Sequence, residues 1–298
     1  MNIAILSRGP YLYSTQSLLR AGAERGHHIQ VIDHLQCSLL VDRDFPAVFH
    51  NGLNLSYVDA IIPRIGASVT YAGAAVIGQF EAMSVFTTTR SEVLLQARDK
   101  LRSLQRLTGF GVPVPRTVFA GEGQELSSLV EQVGGFPVVI KMLESTHGVG
   151  VLLAHDMLQA TSIVEAFQKM NQRVVVQEFI AEARGADVRV LVVNGEVIAA
   201  MKRQAKEGEF RSNLHRGASA MPALLSPEEE ALAVRVADVL GLDVTGIDLL
   251  RSHRGPLVME VNASPGLEGI ETTTGKDVAG SIICLVESRV ESLRLQRV

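Results

Sequence analysis

The sequence predicts an α/β protein of the mixed α+β kind, and three observations along its 298 residues predict it. Strand, helix and strand alternate at the start of the chain, the order of a small α/β unit. Near the middle, an apolar strand with a lysine inside it runs through small, glycine-rich residues into a second strand. Close to the C-terminus, two apolar strands at 244–250 and 256–262 flank a polar turn and carry acids.

Composition sets the outer limits. With 47% hydrophobic and 20% charged residues, the chain can fill one large domain or two to three small ones. A net charge of −4 leaves no general basic surface for nucleic acid, and the lack of tryptophan argues against a base-stacking platform. Cys37 and Cys284 form neither a disulfide framework nor a metal-ligand spacing, which points to a reducing compartment. The start, Met1-Asn2-Ile3-Ala4-Ile5-Leu6, lacks the charged segment of a signal peptide. No apolar run approaches the roughly 18 residues of a membrane span. A soluble, cytoplasmic protein without membrane or direct nucleic-acid contact is expected.

In chain order, residues 2–7 form an apolar strand ending at Ser7-Arg8-Gly9. A helical pattern from 14 to 25 stops at Gly26, and strands follow at 29–32 and 58–63. Ser7-Arg8-Gly9-Pro10 is not the G-x-G-x-x-G of a dinucleotide fold. Pro63-Arg64-Ile65-Gly66 ends a strand at a topological edge, where Arg64 can meet a substrate carboxylate. A helix opens at Arg98-Asp99-Lys100 and runs to 108; Gly109, Gly111, Pro113 and Pro115 then break the chain. The first boundary therefore falls before Lys100, and units of 1–98, 99–180 and 181–298 are expected.

In the second unit, a strand near 116–119 and a helix near 125–133 lead to the strand Val138-Val139-Ile140-Lys141-Met142-Leu143. A lysine in an apolar run needs a partner. Ser145-Thr146-His147-Gly148-Val149-Gly150 joins it to a strand at 151–154. Such small residues let backbone N–H groups close over phosphates, which Lys141 reaches as a point charge. It is not a Walker loop, because no Gly-Lys-Ser/Thr opens a helix. Asp156 caps a helix to 170, and the buried strand Val174-Val175-Val176-Gln177 runs into Glu178-Phe179-Ile180, an edge able to present backbone groups to a purine.

Gly185-Ala186-Asp187 enters a strand at 188–193, turned back by the hairpin signal Asn194-Gly195. Lys202, Arg203, Lys206, Arg211 and Arg216 form a basic cluster able to clamp a transferring phosphoryl group. Ser226-Pro227-Glu228-Glu229 starts a helix by cap, first-turn proline and capping-box acid, and Gly241 ends it. Then comes the acidic hairpin. Folding about 253–254 sets Asp248 opposite Glu260, and strand alternation puts Asn262 on the Glu260 face. Leu257, Met259 and Val261 are expected on the other face, with Val258 beside the acids. Directly opposed carboxylates repel, and a divalent cation between them turns repulsion into attraction. Two carboxylates and an amide oxygen are hard ligands suited to Mg²⁺ or Mn²⁺, with phosphate oxygens completing the shell. An amphipathic helix from 278 to 293 closes the chain.

Lys100, the Val139-Ile140-Lys141 strand with its glycine-rich flap, Gln177-Glu178-Phe179-Ile180, Asp187 and Asp248…Glu260-Val261-Asn262 resemble the ATP-grasp superfamily in order and spacing. Four stretches are more particular: Ala4-Ile5-Leu6-Ser7-Arg8, Ile62-Pro63-Arg64-Ile65-Gly66, Phe210-Arg211-Ser212-Asn213-Leu214-His215-Arg216-Gly217, and residues 259–271. They look like the RimK family, ligases that add glutamate to the C-terminus of ribosomal small-subunit protein six. The likeness covers nearly the whole chain. It implies an ATP-grasp fold: a pre-ATP-grasp α/β domain, then two α+β subdomains holding the nucleotide between them. It further implies that Lys100 and Lys141 contact ATP phosphates and that Glu178, Phe179 and Ile180 line the adenine site. Asp187 would hold the ribose, and Arg211, Ser212 and Asn213 the phosphate end. Asp248, Glu260 and Asn262 would bind two Mg²⁺ or Mn²⁺ ions, with Arg203 and Lys141 acting on the phosphoryl group in transfer. His147 departs from the family, where an amide is expected.

The implied reaction joins L-glutamate to the C-terminal tail of a protein acceptor through an acyl phosphate, in a homo-oligomer. Three other readings stay open from the residues: a ligase joining another amino acid to a carrier-protein glutamate, a kinase on the same scaffold, and a nucleotide-binding module without catalysis.

Overall fold

In the computed structural model, which describes residues 1–119, 124–143 and 150–296, the first unit is built on parallel strands. His28–Ile32, Asn2–Leu6, Ala60–Pro63 and Phe86–Thr87 lie side by side in that order. Parallel strands need both faces covered. Ile3 and Ile5 pack to one side and Ala4 and Leu6 to the other. Helices Tyr13–Glu24 and Thr70–Ala82 make the crossovers. A three-stranded antiparallel sheet of Cys37–Leu40, Ala47–His50 and Leu53–Asn54 is inserted before the third parallel strand.

The middle unit is antiparallel, in the order Val151–Ala154, Val138–Met142, Val174–Glu178, Thr117–Phe119. Helices Leu126–Gln132 and Met157–Lys169 cover it, the second capped by Asp156 on the Gln159 N–H at 2.9 Å. Val130, Ile140, Ala160, Phe167 and Val176 give this unit a core of its own. Gly150 adopts φ +69°, and a Cβ there would lie 2.2 Å from the Met142 sulfur, so glycine is required where the flap enters its second strand. The rest of the flap, 145–149, lies outside the described residues.

A five-stranded antiparallel sheet completes the fold, ordered Ser219–Pro222, Glu196–Gln204, Ala186–Val193, Val244–Ser252, Gly255–Asn262. Asn194 and Gly195 take φ of 52° and 76°, the turn their sequence predicts. On one face Val188, Val190, Ile247 and Leu249 pack with Leu6 and the helix Pro227–Leu240, whose capping box forms between Ser226 and Glu229. On the other, Leu191 and Val193 meet Ile3, Ile5 and the closing helix Val278–Leu295. The parallel sheet and the five-stranded sheet thus share two cores. Helix Lys100–Gly109, capped by Asp99, gives Leu107 to one of these shared cores. Among the described residues no helix is long and apolar enough to cross a membrane.

One side chain ties the closing helix to the first. Glu271 accepts the Ser17 hydroxyl at 2.8 Å and the Val278 and Ala279 N–H groups at 3.1 and 2.9 Å. A carboxylate at a helix N-terminus also complements the helix dipole. Glu271→Ala strands those buried donors and is expected to lower stability by about 2–4 kcal/mol. Urea unfolding checks this; an unchanged midpoint would show the tether to be idle.

Candidate active site

Asp248 stands opposite Glu260, and Gly246 opposite Asn262, as a turn at 253–254 requires. A Cβ on Gly246 would lie 2.8 Å from Pro265 Cβ, so the bare glycine lets the exit turn Ala263-Ser264-Pro265-Gly266 fold back over the strand. The ladder then breaks: Leu249 pairs with Val258, which leaves Met259 as an extra residue. This β-bulge switches the side-chain parity of the strand. Val258 and Val261, three residues apart, are both buried in one core. The expectation that Val258 sits beside the acids, with Leu257, Met259 and Val261 together on the far face, is therefore corrected. The inserted Met259 keeps Val258 inward and still lets Glu260 and Asn262 share the outer face.

Behind the hairpin lies a chain of four charges, three of them buried and Arg189 half-buried. Arg189 holds Asp248 with two parallel bonds, Nε to Oδ1 at 2.7 Å and Nη2 to Oδ2 at 2.6 Å. Arg203 Nη2 lies 2.9 Å from the same carboxylate. The Arg203 fork also closes on Asp187 at 2.7 and 2.5 Å, and Ser212 Oγ donates to Asp187 at 2.5 Å. The register explains the pairing, since Arg189 faces Asp248 and Asp187 faces Arg203 across the strands. Asp187 and Asp248 are each 2% exposed and Arg203 4%, so the charges must balance one another. Burial works against ionising Asp248, but Arg189 and Arg203 outweigh it and hold the carboxyl below its usual range. Burial and the neighbouring Asp248 charge push Asp187 up. Burial also opposes the charge on Arg203, yet Asp248 and Asp187 keep it protonated above the normal arginine range.

Asp187, expected at a sugar hydroxyl, and Arg203, expected at a phosphoryl group, are thus placed against each other. Arg189 was not singled out in the sequence. Its signal was available: two residues beyond Asp187 on the same strand, it must share that face.

The other expected residues converge from the middle unit. Burial depresses the Lys141 ammonium to about 8; Glu260 opposes the fall, Lys100 adds to it and Asp248 opposes it. Two lysines and two acids, from four elements, therefore lie in one electrostatic neighbourhood. Arg211 reaches the partner strand of Lys141, donating from Nη1 to the Val151 carbonyl at 3.1 Å. Arg211 also grips Glu209 at 3.0 and 2.7 Å, which holds that carboxyl at about 2. The Arg211 guanidinium lies 5.5 Å from the Phe210 ring centroid, and Phe210 meets Phe179 edge to face at 6.2 Å. Ile180 is buried beside Phe179 in sequence, and Asn213 leads the short turn Leu214–Arg216. Glu178 accepts the Arg116 N–H at 2.7 Å and pairs with Arg254, a further partner the sequence did not mark.

The donor set suits a hard cation. Among the described residues no cluster of three His, Cys, Asp or Glu exists, so Asp248 and Glu260 have no third carboxylate, imidazole or thiolate beside them. Asn262 keeps a buried amide nitrogen without a partner among the described residues; that nitrogen is a donor, and only the amide oxygen beside it is of the kind a hard cation takes. Glu260 forms no ion pair among the described residues, whereas the Asp248 oxygens are shared with two guanidiniums. Glu260 is the least encumbered donor.

Residues 1–94 match the RimK pre-ATP-grasp domain and residues 97–286 the RimK-like ATP-grasp domain. A protein of Teredinibacter turnerae called "probable alpha-L-glutamate ligase" is 54% identical over 294 residues, 99% of this chain and 98% of that protein. One of Hahella chejuensis, "probable alpha-L-glutamate ligase 1", is 55% identical over 97% of this chain and 95% of its own. Among solved structures, the ATP-grasp ligase PsnB with minimal precursor, Mg and ADP superposes with a TM-score of 0.76, covering 97% of each chain at 19% identity. D-alanine–D-alanine ligase of Bacillus anthracis, complexed with ATP, gives 0.68 at 16% identity, covering 100% of both chains.

Arg203→Met leaves two buried carboxylates facing each other. It is expected to cost about 3–5 kcal/mol near neutral pH. In that variant Asp248 keeps Arg189, while Asp187, already pushed up by burial and by Asp248, rises further, so the deficit shrinks as pH falls through that raised value. Denaturant unfolding at neutral and mildly acidic pH checks this. A small, pH-independent loss would mean that the two acids do not depend on Arg203.

Proposed function

The chain belongs to the RimK family, and from that premise we propose that it is an ATP-dependent carboxylate–amine ligase adding L-glutamate to the C-terminal carboxylate of a protein or peptide. The observation that carries this is the hairpin register: Asp248 across from Glu260, Asn262 on the same face, and Lys141 in their field. The names of the curated relatives support glutamate as the amino acid, and the likeness in the sequence motifs supports a ribosomal small-subunit protein tail as acceptor. A cytoplasmic homo-oligomer belongs to the same proposal.

The chemistry follows the inventory. An oxygen of the acceptor carboxylate attacks the γ-phosphorus of ATP, the bond to ADP breaks, and an acyl phosphate forms. The amino nitrogen of glutamate then attacks the acyl carbon, gives up a proton, and phosphate leaves as the amide forms. Negative charge gathers on the moving phosphoryl group, and Lys100, Lys141 and Arg211 supply the opposing charge, with Ser212 and Asn213 at the phosphate end. Arg203 sits behind them, fixing Asp248 and Asp187, and reaches the phosphoryl group and ribose side through those two acids. Glu178, Phe179 and Ile180 line the adenine site. Glu260, Asn262 and Asp248 would hold two Mg²⁺ or Mn²⁺ ions, which neutralise phosphate charge. The separate core of the middle unit lets it close over the nucleotide and keep water from the acyl phosphate.

Incubating the protein with ATP, Mg²⁺, L-glutamate and a candidate acceptor should add glutamyl masses to the acceptor by mass spectrometry; a phosphorylated acceptor instead would turn the assignment to a kinase. Glu260→Gln should abolish ADP formation while leaving the thermal melt unchanged, and full turnover would remove Glu260 from the metal site. With Lys141 at about 8, the free enzyme loses that charge as pH rises from about 7 to about 9, so the KM for ATP should rise over this interval. Lys141→Arg should flatten the profile; a flat wild-type profile would take Lys141 away from the phosphates.

A further inference from the structure

Two arginines meet at the junction of the first unit and the exit of the acidic hairpin. Arg64 follows the strand Ala60–Pro63 at its carboxyl end, and its Nη2 donates to the Pro265 carbonyl at 2.6 Å. Arg98 ends the helix Ser91–Arg98 and donates from Nη2 to the carbonyl of Ile65, the residue after Arg64, at 2.5 Å. Neither forms an ion pair among the described residues. Arg98 Nε is buried with no hydrogen-bond partner among the described residues. A basic residue suits the C-terminal end of a helix, but that does not satisfy its Nε. Each guanidinium spends one edge on a backbone carbonyl and keeps further N–H donors for something else.

Their surroundings call for an anion. Burial pushes Arg64 down to about 10, the Arg98 charge adds to the fall, and Glu271 opposes it. Burial lowers Arg98 as well, and its opposing charge is Glu260, an acid of the proposed metal site. Two like charges are thus held together within electrostatic reach of the reacting centre. Ligands of open parallel sheets bind outside the carboxyl ends of the strands, which is where Arg64 stands. A planar carboxylate matches a guanidinium fork, and two such forks side by side suit one carboxylate better than a single ammonium does.

We propose that Arg64 and Arg98 form a carboxylate clamp that seats a substrate carboxylate beside the metal hairpin; the identity of that substrate rests on the ligase reading. L-glutamate and the acceptor tail both carry a carboxylate, so both are probes.

The test is titration calorimetry on the full chain saturated with AMPPNP and Mg²⁺, using L-glutamate and, separately, a tetrapeptide ending in glutamate. Arg64→Met and Arg98→Met should weaken one of these two ligands by about 10- to 100-fold while leaving AMPPNP affinity within about twofold. Whichever ligand moves is the one clamped. Both arginines also brace loops, so Arg98→Lys is included: it keeps the charge, loses the fork, and should give an intermediate loss in a protein with a wild-type melt. Unchanged carboxylate affinity in that folded variant overturns the clamp, as does a parallel loss of AMPPNP, or a wild type that binds neither carboxylate. ADP release by the wild type is recorded alongside. Carboxylate binding that depends on the arginines without any ADP release would leave the clamp standing and remove the ligase reading.

Discussion

Two guanidiniums and two carboxylates, all but the half-buried Arg189 buried on one face of the five-stranded sheet, are the constraint on which the rest of the structure depends. None of Asp187, Arg203, Asp248 and Arg189 can be out of water alone without a large penalty. Their cross-strand pairing fixes the register of three neighbouring strands at once. Once Asp248 is fixed, the hairpin register fixes Glu260. Those four charges cancel among themselves, and Glu260 stands outside that balance, forming no ion pair among the described residues. Its charge acts on Lys141 from the middle unit and on Arg98 from the base.

The sheets divide the labour. The parallel sheet and the five-stranded sheet share two apolar cores and behave as one base. The middle unit has a separate core and meets that base through polar links such as Arg211 to the Val151 carbonyl and Arg254 to Glu178. Such links are individually weak, and the Phe179–Phe210 edge contact adds one apolar contact beside them. Lys141 belongs to the unit with the separate core and the acids to the shared base. The same division places Arg64 and Arg98 on the base, where the hairpin exit turns back over Gly246.

What the sequence made legible is what depends on neighbours in the chain. The Asn194-Gly195 turn, the Ser226 capping box, the Asp156 and Asp99 caps and the fold-back about 253–254 all follow from a few adjacent residues, and each forms. The opposition of Asp248 and Glu260 was legible for the same reason. The Met259 bulge was not, because methionine carries no mark of an unpaired position and the alternation looks regular until pairing partners are known. The Arg203–Asp187 and Arg189–Asp248 pairs join strands in three dimensions, and a run of basic residues reads as a solvated cluster until the ladder is seen. The short strands between Cys37 and Asn54 and the helices Ser91–Arg98 and Glu268–Thr274 are too brief for periodicity to register.

The most direct measurement is anomalous scattering from crystals of the protein grown with Mn²⁺ and AMPPNP. Manganese should appear within coordination reach of Glu260 and the Asn262 amide oxygen, with triphosphate oxygens completing its shell. Nucleotide bound with the manganese elsewhere, or with Glu260 and Asn262 turned away from it, would contradict the assignment of this hairpin as the cation-holding half of the site.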